Sequence, residues 1–224
     1  MKKVLIALVV LLSTTAALAD RDGDIDRLQE SATVIKEIMS APDKGVPEEV
    51  ITKAKCIAVI PSMLKAAFGV GGAYGKGVAS CRTDKGWSAP AFFTLRGGSF
   101  GFQIGASETD IVLLVRSKSG MDHLLSSKFT LGGDASVAAG PVGRESTADT
   151  DLSMHAEILS WSRSRGVFAG IALQGATLRP DDDTDRDMYG HEIDRAAALN
   201  GQIPTPPAAA ELIRTLTRYS GVGK

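Results

Sequence analysis

The residues of this 224-residue chain whose types could carry chemistry are few and widely spaced. Its histidines, His123, His155 and His191, lie far apart, and none sits in a G-x-S-x-G elbow or beside a candidate nucleophile. No catalytic constellation is legible, so an enzyme is not expected. Asp181, Asp183, Asp185, Asp187 and Glu192 do follow calcium-loop spacing, with acids at positions 1, 3, 5, 7 and 12. Position 6 of such a loop needs glycine for its sharp turn, and Arg186 stands there. A solvated acidic loop is the better reading, and no metal or other cofactor is expected.

Cys56 and Cys81 are the only cysteines. In an oxidising compartment an even pair reads as one disulfide, the alternative being two buried thiols packed as small hydrophobes. Export is itself expected. Lys2 and Lys3, the apolar run 4–12 and Ala17-Leu18-Ala19 form a secretory leader over residues 1–19, cleaved before Asp20. The mature protein is therefore expected in the periplasm or outside the cell. No later segment is apolar for the ~20 residues a spanning helix needs.

A glycine-rich run at 69–77 (GVGGAYGKG) tempts a phosphate-loop reading and fails it. Val70 and Gly77 stand where a Walker loop needs glycine and Ser or Thr. A turn between packed strands is expected instead. The chain holds 25 basic and 26 acidic residues, so nothing draws it globally to nucleic acid, and any anionic partner must meet a local patch. Lys53, Lys55, Lys65, Lys76, Arg82, Arg163 and Arg165 fall near expected strand ends and turns, with apolar Met63, Leu64 and Phe68 nearby. Several lysines facing one way contribute about 1 kcal/mol each at an anionic membrane, enough for reversible binding. That set is the candidate lipid site.

The elements that must position it follow from periodicity. Apolar Ile25, Leu28, Ala32, Ile35 and Ile38 predict an amphipathic helix over 24–39, packed on the core. A short helix over 47–54 follows, then a buried strand at 56–60 stopped by Pro61. Further strands are expected at 78–82, 87–95, 98–105, 111–115, 136–141, 158–163 and 167–178, with helices at 120–128, 192–199 and 208–219. Strands in the middle and helices from both chain ends predict one α+β domain over 20–224, on a curved, largely antiparallel β-sheet. The low-charge run 126–143 (SSKFTLGGDASVAAGPVG) belongs where backbones approach closely.

Several ordered motifs carry a family resemblance. They are AKCIAVIP at 54–61, GAYGKG at 72–77, WSAP at 87–90, GFQIG at 101–105, Thr109-Asp110, Lys128-Phe129, ASVAAGPVG at 135–143 and SRSRGVFAG at 162–170. Together they resemble the SYLF-domain family over about residues 25–215. The resemblance implies a non-enzymatic lipid-binding module. Eukaryotic relatives bind phosphoinositides, and some bind or bundle actin. For an exported chain the expected partner is an anionic lipid or membrane surface, and an envelope protein-interaction role is the alternative.

Overall fold

The computed structural model describes residues 2–41, 45–68, 70–100, 105–141, 155–164, 167–171 and 173–221. Helix α1 (Lys2–Ser40) leads in. Its side chains from residue 21 onward show the expected stripe: Leu28, Ala32, Ile35 and Ile38 are buried, Ile25 partly so. Each large apolar side chain on that stripe contributes roughly 2 kcal/mol by leaving water. Next come α2 (Glu48–Thr52), β1 (Cys56–Phe68), β2 (Val70–Thr83), β3 (Gly86–Trp87), β4 (Ala91–Phe100) and β5 (Gly105–Val115). Then follow α3 (Lys118–Leu125), β6 (Phe129–Thr130), β7 (Val137–Ala139), β8 (Ile158–Ser164), β9 (Val167–Gly170) and β10 (Thr177–Pro180). The chain closes with α4 (Asp182–Tyr189), α5 (Arg195–Leu199), a 3-10 turn (Pro207–Ala209) and α6 (Ala210–Tyr219).

Among the described residues the strands form one sheet, ordered β6-β10-β4-β2-β1-β5-β8-β7, with β3 on β2 and β9 on β8. Every pairing is antiparallel except β7 with β8. The sheet must curl. Eight strands laid flat would hold the edges β6 and β7 roughly 34 Å apart. The chain from Thr130 to Val137 reaches at most roughly 25 Å when fully extended, and it spends part of that reach on a tight turn bridged between Leu131 and Ala135.

Both faces of the sheet are buried, and alternation along β1 sorts its side chains. Ile57 and Val59 join α1, α4 and α6 on one face through Leu28, Ile35, Met188, Leu212 and Leu216. Cys56, Ala58 and Ile60 face the concave side with Phe93, Leu113, Leu124, Phe129 and Leu178. Strands buried on both faces read as continuous apolar runs, which is why 111–115 was so clear in the sequence.

Three local expectations are corrected. Pro61 does not stop the strand. β1 runs on to Phe68 through a bulge, where the register shifts against both neighbours and Ser62 takes a φ of +48°. The glycine run is not a turn either; its residues from 70 onward lie inside β2. A Cβ at Gly75 would sit 2.5 Å from Ile60 Cγ2, and one at Gly77 would strike the Val59 carbonyl oxygen. The bulge pushes β1 toward β2 there, and only glycine leaves room. Finally, the acidic segment is helical: α4 is capped by Asp181, whose side chain accepts from the Thr184 N–H.

Candidate functional site at the strand tips and the α1 cleft

The sequence-predicted basic set divides between the two ends of β1 and the positions between them. Lys53 and Lys55 are exposed at its beginning, while Leu64 and Lys65 lie beyond the bulge. Ten residues of strand separate Lys55 from Lys65 by roughly 30 Å. Arg82, also at the first end, is committed to structure. Its Nε donates to the Ala54 carbonyl at 3.1 Å, and Nη2 donates to the Thr52 carbonyl at 3.1 Å. Its guanidinium also covers the Trp87 ring, and burial lowers its pKa. Met63 is 1% exposed, part of the concave core. Arg165 and the Phe68 side chain lie outside what is described.

Lys76 and Arg163 lie between these ends and are paired. Lys76 Nζ sits 3.0 Å from Asp181 Oδ2 and donates to Thr184 Oγ1 at 3.2 Å, tying β2 to the start of α4. Burial works most strongly against its charge, but the hydrogen bond to and the charge of the Asp181 carboxylate together outweigh it and leave the pKa raised. Arg163 Nε donates to Asp110 Oδ2 at 2.6 Å, and its Nη1 meets Glu37 of α1. The other Asp110 oxygen accepts the Ser62 N–H at 2.9 Å. Burial raises the Asp110 pKa against the pull of that N–H.

At the far end, β5, β1, β2 and β4 project as a four-stranded blade. Register places Glu108, Leu64, Tyr74 and Arg96 side by side in one row across it. Their neighbours Met63, Ala73 and Leu95 turn to the concave core, so the row stands on the helix-bearing face. Leu64 is 53% and Tyr74 41% exposed, the large hydrophobics that stand out among the described residues. The Arg96 guanidinium lies 5.3 Å from the Tyr74 ring centroid, a cation–π contact. The next row outward is small: Ala66, Gly72 and Gly98, all exposed.

Beside this row a cleft of about 380 Å³ opens between α1 and the bulge of β1. Asp26, Gln29, Glu30, Thr33 and Val34 of α1 form one wall; Pro61, Ser62, Asp110 and Arg163 form the rest. The structure therefore draws one member of the basic set, Arg163, into a cleft whose other charged walls are acidic. Lys65 follows Leu64 at the blade but, paired with Ala73, turns to the opposite face. Tyr74, Arg96 and Glu108 were not singled out in the sequence. Tyr74 lies within a glycine-rich run that reads as a turn, so its place on the exposed face of a strand is not legible from sequence.

The calcium-loop spacing does not make a site. In a helix, residues two apart lie about 200° apart around the axis, so alternate acids of α4 diverge. Asp185 is buried and accepts the Phe92 N–H at 2.9 Å. Among the described residues no cluster of His, Cys, Asp and Glu could hold a metal ion. Cys56 and Cys81 are directly paired across β1 and β2 and are disulfide-bonded.

Comparison with known proteins places this architecture. A profile described as Ysc84, "Las17-binding protein actin regulator", matches residues 96–219. The SH3 domain-containing YSC84-like protein 1 of Rattus norvegicus is 33% identical over 199 residues, 86% of this chain and 58% of that protein. An SH3 domain-containing protein of Schizosaccharomyces pombe is 38% identical over 175 residues, covering 76% of this chain and 40% of its own length. Protein YSC84 of Saccharomyces cerevisiae is 34% identical over 180 residues, 78% of this chain and 38% of the yeast protein. The chain thus spans little more than half the length of the mammalian relative, and less of the yeast ones.

Proposed function

Since the chain belongs to the Ysc84 (SYLF) family, we propose that it is a non-enzymatic lipid-binding protein that docks its strand-tip blade on an anionic membrane surface. The observation that carries this reading is the exposed pair Leu64 and Tyr74, held side by side by strand register with Arg96 next in the row; Glu108 closes the row on β5, and Lys65, paired with Ala73, lies on the other face of the same blade. Apolar side chains anchored on a rigid sheet can enter the interface without a backbone-ordering cost. Basic neighbours supply about 1 kcal/mol each against anionic headgroups. The leader-like residues 1–19 support a location outside the cytoplasm.

Co-flotation with liposomes tests it. The protein is expected to float with anionic vesicles at low salt, less so as salt rises. Replacing both anchors (Leu64→Ser, Tyr74→Ser) forfeits about 1.5–3 kcal/mol for each side chain that enters the apolar layer. The bound fraction should fall at least tenfold, with the fold unchanged because both side chains are surface-exposed. Equal failure to float with neutral and anionic vesicles would sink the proposal. The family's description as an actin regulator supports a second reading, an actin-type protein partner. Co-sedimentation with filamentous actin, without liposome binding, would favour that one.

A further inference from the structure

The α1 cleft and the exposed blade row belong to one surface. Asp110 of the cleft follows Glu108 of the row by two residues on β5, so the two share a face at roughly 7 Å. A polar cavity of about 380 Å³ is thus set beside an exposed apolar row. Its volume lies in the range of small-molecule sites. An amphiphile has the same division, a compact polar head next to an apolar body.

The charges decide what kind of head fits. Arg163 is already met by Asp110 and Glu37, so it offers little to an added anion. Asp26 and Glu30 stand four residues apart on α1, both exposed at the cleft and without an ion-pair partner among the described residues. Like charges at that spacing destabilise a helix by a few tenths of a kcal/mol, a cost an incoming cation removes. Because the described acids do not converge as metal ligands, the occupant brings its own volume and hydrogen-bond donors.

We propose that the cleft between α1 and the β1 bulge binds a primary ammonium group, as carried beside a phosphate in an ethanolamine-type lipid headgroup. The lipid source rests on the membrane-surface reading above; the ammonium site itself does not. The ammonium points to Asp26 and Glu30. The phosphate stays at the mouth, where the Gln29 amide and Ser62 hydroxyl can donate to it.

The test titrates the isotope-labelled chain with O-phosphoethanolamine and, separately, with glycerol 3-phosphate, which lacks the ammonium. Phosphoethanolamine is expected to shift amide resonances around residues 29–33 and 62, glycerol 3-phosphate to leave them in place. The variant Asp26→Asn, Glu30→Gln, made on exposed helix positions, should bind phosphoethanolamine at least tenfold more weakly. A matching response to both phosphates, or unchanged binding by the variant, overturns the site. Vesicles identify the source. Flotation enhanced by phosphatidylethanolamine in wild type and not in the double variant supports a lipid headgroup. Binding of phosphoethanolamine by a chain that floats on no vesicle supports the cleft with a soluble amine as ligand, and counts against the membrane reading alone.

Discussion

At the residue scale, sterics rather than reactivity explain the most distinctive positions. Gly140, in the small-residue run, donates its N–H to the Ser160 carbonyl at 2.9 Å and lies against the Trp161 ring. A Cβ there would penetrate the ring atoms. Trp161 is fully buried and its Nε1 donates to the Pro141 carbonyl at 3.0 Å, so it cannot swing aside without losing that bond. Gly140→Ala should therefore cost roughly 2 kcal/mol or more, seen as a lower urea midpoint. A variant as stable as wild type would show that the contact is not tight.

At the scale of elements, α4 is held on β4 by reciprocal bonds. The Asp181 N–H donates to the Phe92 carbonyl, and the Phe92 N–H donates to Asp185 Oδ1. Burial pushes the Asp185 carboxyl up to about 7, despite the Phe92 N–H and Arg195, which favour its charge; Asp182 and Asp181 add to the rise. Tyr189, next on the same helix, donates its hydroxyl to the Pro90 carbonyl at 2.6 Å. The folded state thus keeps the Asp185 proton over a pH range where an unfolded chain has released it. Stability from this group is complete below about pH 4 and is lost as pH rises through about 7. Asp185→Asn retains an acceptor for Phe92 and cannot ionise. Comparing melting curves across this window, wild type should lose stability relative to Asp185→Asn as pH rises, by a few kcal/mol at most. Parallel profiles for the two proteins would refute the linkage.

For the whole molecule, the disulfide acts chiefly on the chain before it folds. Cys56 and Cys81 are already neighbours in register, so the bond adds little to the folded sheet, but it closes a loop of sequence separation 25 in the unfolded chain. A loop of that size is worth about 3.5 kcal/mol on the chain-entropy account. Replacing both cysteines with alanine should lower the unfolding free energy by about that amount, with the circular dichroism of the folded protein unchanged. No change in stability would mean the unfolded chain is not constrained by the link. The curl of the sheet is a second whole-molecule property, since it brings edge strands β6 and β7 within reach of one short connector.

The sequence alone determined what depends on local periodicity and composition. The α1 stripe, the runs 56–60 and 111–115 and the α+β class were all legible, because apolar spacing records which face leaves water; that Cys56 and Cys81 are bonded rather than two buried thiols was decided by their register across β1 and β2. So was the ordered motif series that pointed to the family. The tertiary structure decided what depends on register. Pro61 and the glycines of β2 looked like breaks because strand propensity is judged one segment at a time, whereas the bulge and the glycines fit only each other. The basic residues looked like one set because sequence records charge, not partners. Folding gave Lys76 to Asp181, Arg82 to backbone carbonyls and Arg163 to Asp110 and Glu37. It left Leu64, Tyr74 and Arg96, distant in the chain, in one exposed row, since strand pairing joins residues by position across the sheet rather than along the sequence.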